Sequence, residues 1–414
     1  MPAEQEMMDV KEENVKDILE EDEDDDAEDE DHEQDPLLEM AGWKFMLTMK
    51  DEDFAPTRKE EVKELLLKSV KENSMTPYYK YLCQTFGWKE DAALVKEMAA
   101  VNEKELKDCD DKETDAKENL GDTEVWEAKL ARADYFARIG DKTNAVAHYE
   151  ATLEKTLGTG QKIDLLFSIL RVALCFSDAK LVKSYITKAK VAVEKGGDWE
   201  RRNLFHVYEG TYLLTAREFG SAAKLFLDAT STFTCYKLFS YNNLAFYTVL
   251  TGLVSLDRVT LRDKVVKNPE ILSVISDIPH LKSFLLSLYH CKYGEFFQSL
   301  AALTRLIKRD PYLAPHCGYF MREIRIVAYS QFLESYKSVT IESMASSFGV
   351  SQEFLDKELS RFISAGRLNC KIDKVGGIVE TNRPDAKNAQ YTEMVKRGDL
   401  LLNRIQKLTR VVNF

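Results

Sequence analysis

Two neighbouring pairs, His290-Cys291 and His316-Cys317, are the residues whose types could support nucleophilic chemistry, an imidazole drawing the proton from a thiol. Adjacent residues on a helix, however, diverge by about 100° and do not face each other, so both pairs read as ordinary half-buried residues. Only six histidines occur in 414 residues. None stands in HExxH, HxxEH or His-x-His spacing, so no hydrolytic zinc set is expected. Gly158-Thr159-Gly160-Gln161-Lys162 has the glycines and lysine of a phosphate cradle, but the GxxxxGK[ST] spacing is missing and no strand precedes it. It reads as a helix stop and restart. GxSxG is also missing. Gly196-Gly197-Asp198-Trp199 reads as a loop in which Asp198 caps the next helix and Trp199 packs against a hairpin core. No catalytic, cofactor-binding or metal-binding residues are expected, and the chain reads as a non-enzyme that needs no cofactor.

The elements that would position any functional residue are mostly helical. Thr340 can cap a helix carrying Ile341, Met344, Ala345 and Phe348 at helical spacing up to Gly349. Ser351 caps a second helix with Phe354, Leu355, Leu359, Phe362 and Ile363 on one face, ending at Gly366. Leu368 to Ile372 and Gly377 to Thr381 then suit two strands of a hairpin around Asp373-Lys374-Val375-Gly376. Together these make a winged helix. A duplex reader would need a stripe of Lys and Arg, whereas Ser351 to Ala365 mixes Glu353, Asp356 and Glu358 with Lys357 and Arg361. Nucleic acid is therefore not an expected partner.

Before this module, apolar residues recur at helical spacing from Trp43 to about Asp310, and a degenerate repeat of tetratricopeptide length is visible in the small residues that let paired helices approach. One copy places Ala133, Phe136 and Gly140 before Ala145 and Tyr149. A second places Leu170 and Ala173 before Val182, Ile186 and Ala189. A third places Gly210 and Leu213 before Ala222, Phe226 and Ala229. Such hairpins bury a continuous core only by stacking, so Glu124 to about Phe233 reads as a solenoid. Lys89 to Asn119 is charge-rich and reads as a long exposed helix or helix pair. Pro311 and Pro315 mark a break. The expected organisation is an acidic arm over 1–40, N-terminal helices over 41–122, the solenoid over 123–310, the winged-helix module over 311–386 and a terminal helix over 387–414.

That terminal helix carries Met394, Leu401, Ile405, Leu408 and Val412 near heptad a and d positions, with Gly398 at the missing one and Leu402 and Val411 widening the stripe. A lone helix at a chain end must bury such a face, at ~1.5–3 kcal/mol per large side chain. Its own domain or a bundle with helices of other subunits could supply the cover.

Composition narrows the remaining classes. The net charge of −13 comes from Glu20 to Asp35, where 13 residues are acidic and none is Lys or Arg. Without that run the chain has 57 acidic and 57 basic residues, so the body is neutral and the arm is expected to stay solvated. Seven scattered cysteines, with no CxxC pair, imply a reducing compartment. No basic-then-apolar leader opens the chain, and the longest apolar run, Leu165 to Phe176, is broken by Ser168 and Arg171. A soluble protein of the cytoplasm and nucleus, with no membrane partner, is expected.

Three longer strings carry a family likeness: Met75-Thr76-Pro77-Tyr78-Tyr79-Lys80-Tyr81-Leu82, Lys195-Gly196-Gly197-Asp198-Trp199-Glu200-Arg201-Arg202-Asn203, and Leu359 to Ile363 followed by Ile378-Val379-Glu380-Thr381-Asn382-Arg383-Pro384-Asp385. From Trp43 onward the chain resembles the PCI-domain lid subunits of the 26S proteasome, specifically the family of non-ATPase regulatory subunit 6. The resemblance implies a mostly α fold, a tetratricopeptide-like solenoid leading to a PCI winged helix with a small β-hairpin wing and a long C-terminal helix. It implies a non-catalytic scaffold for ATP-dependent degradation of ubiquitylated proteins. The implied partners are other PCI lid subunits and the lid deubiquitinase module, with the ATPase base and core particle in the same assembly. By the same resemblance, Leu368, Ile372, Ile378 and Val379 would lie at a contact between winged helices. Met394, Leu401, Leu402, Ile405, Leu408 and Val412 would enter a helical bundle. PCI scaffolds of the cullin-deneddylating signalosome or of a translation initiation factor are the alternative; the Asn382-Arg383-Pro384-Asp385 string and a chain ending directly after the helix favour the proteasome.

Overall fold

The computed structural model describes residues 34–49, 56–119, 121–381 and 386–412. Most of the expected acidic arm and the string Asn382 to Asp385 lie outside the described residues. The end of the arm is corrected: Pro36–Thr48 is a helix, α1, whose Leu37, Leu38 and Met40 are buried. Asp35 caps it through the Leu37 N–H and pairs with Arg171 at 2.9 Å. The acidic run hid a short apolar stretch that begins immediately after it.

The described residues form two compact units. The first contains α1, α2 (Pro56–Glu72), α3 (Thr76–Phe86) and α4 (Ala92–Asn119), then α5 (Asp122–Arg138), α6 (Lys142–Lys155), α7 (Thr159–Cys175), α8 (Ala179–Gly196), α9 (Trp199–Thr215), α10 (Phe219–Thr230) and α11 (Tyr241–Ser255). Short turns α12 (Arg258–Leu261) and α13 (Pro269–Val274) follow, separated by a π-helical turn at Arg262–Val266. The charge-rich stretch from Lys89 forms a single helix, α4, from Ala92 to Asn119, anchored by buried Met98, Asn102 and Ala116.

Helices α5 to α10 pack as three successive hairpins, and the small residues expected at their seams are buried there: Ala133, Ala145, Ala173, Ala189, Ala222 and Ala229 are each fully enclosed. Gly210 shows why. A Cβ built on it would sit 2.6 Å from Phe226 Cε1, so any side chain would drive α9 and α10 apart. The hairpin turns also repeat. Gly140, Ser177 and Arg217 all take left-handed backbone, and in each case the next residue's N–H reaches back five residues, to Phe136, Ala173 and Leu213. This is the Schellman closure, built twice on residues that carry a Cβ.

The second unit contains α14 (Leu281–Tyr289), the larger part of α15 (Tyr293–Arg309), α16 (Cys317–Ser335), then β1 (Ser338–Thr340), α17 (Ile341–Phe348), α18 (Gln352–Ser364), β2 (Cys370–Asp373), β3 (Ile378–Thr381) and α19 (Ala386–Val412). This unit begins at His280, while Arg305–Cys317 belongs to the first unit. The reason for the early start is a ring cluster in which Tyr293 and Phe297 of α15 and Tyr329 and Phe332 of α16 surround Phe348 at centroid distances of 4.7 to 5.4 Å. The winged helix therefore has its core completed by α16 and by α15, a helix that precedes Pro311.

Within this module the expected caps hold. Thr340 and Ser351 hydroxyls accept from the N–H groups of Ser343 and Phe354, and Gly349 and Gly366 are left-handed. The sheet has three strands in the order β1-β3-β2, all antiparallel, with Val339 opposite Val379 and Ile372 opposite Val379. Strand β1 supplements the expected two-stranded wing. A three-residue strand of Ser, Val and Thr offers too little alternation to be read from sequence. Phe354 is another departure: it is 40% exposed, while Glu358 on the same helix is 7% exposed.

Candidate protein-interaction surfaces

The sequence-expected wing residues divide by burial. Leu368 and Val379 are enclosed in the module, so they build the wing from inside and cannot themselves meet a partner. Ile372 and Ile378 are half-buried on β2 and β3. Two buried carboxylates support this platform. Glu358 of α18 accepts the Tyr329 hydroxyl at 3.0 Å and pairs with Arg325 at 3.0 Å, and Glu323 of α16 binds Arg367 just before β2. Burial, reinforced by the Glu358 charge, pushes the Tyr329 phenol well above its ordinary range and keeps it a donor. The expected mixed-charge surface of α18 is thus partly an internal clamp. Glu358 lies one turn from Phe354 and Leu355, and only its partners on α16 reveal the clamp.

Helix α19 presents the opposite situation. Met394, Leu401, Leu402, Ile405, Leu408 and Val412 are 55% to 73% exposed, and Val411 reaches 75%. Tyr391, Val395 and Leu400, which the heptad reading passed over, are also exposed at 62% to 66%. Their signal was the consecutive Leu400-Leu401-Leu402, which widens an apolar stripe beyond a and d positions. The helix also carries six basic residues and two acidic ones, so its rim is positive. Transferring each large side chain out of water is worth ~1.5–3 kcal/mol, and no other part of the described chain supplies that cover.

The residues considered for chemistry are engaged structurally. Arg217 Nε donates to His316 Nδ1 at 2.8 Å, which leaves His316 Nε2 to donate to the Thr215 carbonyl at 2.7 Å. Burial holds that imidazole below its ordinary pKa. His316 lies on a 3-10 turn and Cys317 opens α16, while Cys291 sits in a left-handed turn and accepts from Gln331 Nε2 at 3.1 Å. Neither pair occupies one regular α-helix, as the 100° argument had assumed. Gly158 is the stop and restart expected, capping α7. Trp199 is corrected: it is 66% exposed, and Asp198 binds Arg201 at 2.7 Å instead of capping α9 with its side chain. Among the described residues no group of three His, Cys, Asp or Glu is gathered to hold a metal, and no helix is long and apolar enough to cross a membrane.

Known families divide the chain along these same features. The family described as 26S proteasome subunit RPN7 matches residues 91–264, the PCI domain matches 300–383, and the RPN7/PSMD6 C-terminal helix family matches 390–412. The chain is 52% identical over 380 residues to the 26S proteasome non-ATPase regulatory subunit 6 homolog of Arabidopsis thaliana, covering 92% of this chain and 98% of that protein. It is 51% identical over 384 residues to 26S proteasome non-ATPase regulatory subunit 6 of Oryza sativa subsp. japonica, covering 93% and 98%. Similarity to COP9 signalosome complex subunit 1b of Drosophila melanogaster is lower, 24% over 286 residues, covering 68% and 54%. Helical hairpins, a winged helix and an uncovered terminal helix thus coincide with near full-length likeness, and the chain belongs to the family of 26S proteasome non-ATPase regulatory subunit 6, or RPN7.

Proposed function

We propose that this chain is a non-catalytic scaffold of the proteasome regulatory-particle lid, acting in the cytoplasm and nucleus. Its contribution to ATP-dependent degradation of ubiquitylated proteins is to hold neighbouring subunits through two surfaces. One is the wing, whose strands β2 and β3 carry the half-buried Ile372 and Ile378 beside the enclosed Leu368 and Val379. The other is α19, which joins a helical bundle with other lid subunits and the deubiquitinase module; the ATPase base and core particle complete the assembly. The exposed stripe of α19 carries this reading, because an amphipathic helix of 27 residues with its apolar face in water is stabilised only by a partner. The signalosome alternative is disfavoured by the gap between 52% and 24% identity.

Affinity purification of the tagged full chain, with identification of the chains that accompany it, tests the proposal. Lid subunits, base and core particle are the expected companions. Recovery of signalosome subunits in their place, or cleavage of a ubiquitin substrate by the isolated chain, would overturn it.

A further inference from the structure

A cavity of about 470 Å³ lies in the first unit beside α1, walled chiefly by Leu38, Phe45, Tyr81, Phe176, Tyr212 and Tyr312. Its size falls within the range of small-molecule sites. Lys44 also lines it, and that side chain is unusual: the residue is only 9% exposed, yet no carboxylate among the described residues lies within ion-pair distance of its ammonium group. Nζ donates to the Cys175 carbonyl at 3.0 Å and stands 5.2 Å from the centre of the Tyr81 ring. The nearby Asp35 carboxylate is committed to Arg171. A carbonyl and a ring face offset part of the desolvation of a buried cation; an opposite charge would offset more.

A second observation concerns Gly42, also on the cavity wall. Glycine inside a helix is less favourable than alanine and usually marks a close approach. Here nothing lies within 4 Å of a Cβ built at Gly42, so no packing contact within the described chain explains its small size. Open space faces a glycine, and the buried ammonium group belongs to the residue two positions further on.

We propose that this cavity binds a small apolar monocarboxylate, its tail on the aromatic wall and its carboxylate on Lys44. A charge-assisted bond to the ammonium group would give the acid an advantage over an uncharged compound of the same shape.

Decanoate and decanamide are suitable probes for titration calorimetry with the purified full chain. Decanoate is expected to bind saturably, with decanamide roughly tenfold weaker or worse, as a charge-assisted bond predicts. Lys44→Met should remove that difference, weakening decanoate roughly tenfold and leaving decanamide unaffected. Gly42→Leu, which adds a helix-favouring side chain into open space, should retain the thermal midpoint and weaken both probes; it decides the matter should Lys44→Met not fold. Absence of saturable decanoate binding, equal binding of acid and amide, or wild-type affinity in the folded Gly42→Leu variant would each overturn the proposal.

Discussion

Helices α11 and α19 both owe their character to apolar side chains, yet they meet opposite fates. In α11 every residue from Leu244 to Leu253 is buried, with Leu244, Val249 and Leu250 wholly enclosed by the same chain. In α19 the leucines at 400, 401, 402 and 408 are 57% to 67% exposed. The difference teaches that hydrophobicity specifies that a face must be covered, not which molecule covers it. Helix α11 is apolar on all sides and belongs inside a core. Helix α19 confines its apolar residues to a stripe and carries charges on the remaining surface, the pattern of a helix that presents one side to a partner.

Matched substitutions sharpen this contrast. Leu250→Asp places a carboxylate where exposure is zero and should unfold the first unit, a loss exceeding about 4 kcal/mol. Leu401→Asp should leave the isolated chain within about 0.5 kcal/mol of wild type, since its site is already in water. Chemical denaturation of both proteins measures the difference, and comparable losses would erase the distinction between the helices.

The next largest effect should come from Glu358→Gln. It keeps the shape of the clamp but leaves Arg325, whose side chain is 24% exposed, without its counter-charge, for a loss of about 3 kcal/mol. A circular dichroism melt confined to the second unit's transition would register it. Smaller still is Gly210→Ala. The added Cβ, 2.6 Å from the Phe226 ring, should cost about 1–3 kcal/mol through overpacking, read as a lowered denaturation midpoint. Neither change touches α19, so a mutant that still folds should enter the assembly normally.

Much of the architecture was legible because its seams depend on residue size. Ala133, Ala145, Ala222 and Gly210 mark the places where helices touch, and all are buried as their spacing required. The capping hydroxyls of Thr340 and Ser351 were equally plain, because a cap is a local bond between residues three apart. Features that depend on distant partners were not. Ser177 and Arg217 take a backbone conformation normally signalled by glycine, so the Schellman turns repeat without a repeating letter. Strand β1 exists through pairing with β3, forty residues away in sequence, and has almost no pattern of its own. Leu37, Leu38 and Met40 were assigned to the acidic arm because the neighbouring charge dominates composition, yet apolar burial decides their state. At the proposed interaction surfaces, the stripe of α19 could be read from its period, whereas the burial of Leu368 and Val379 required the folded wing.

The central claim is that α19 folds for other chains rather than for its own. Its direct test is incorporation of the Leu401→Asp, Ile405→Asp, Leu408→Asp triple variant into the lid, measured by native mass spectrometry after reconstitution. The account predicts a folded chain, with an unaltered denaturation midpoint, that fails to enter the complex. Wild-type incorporation of that variant would contradict it, as would loss of the chain's own fold.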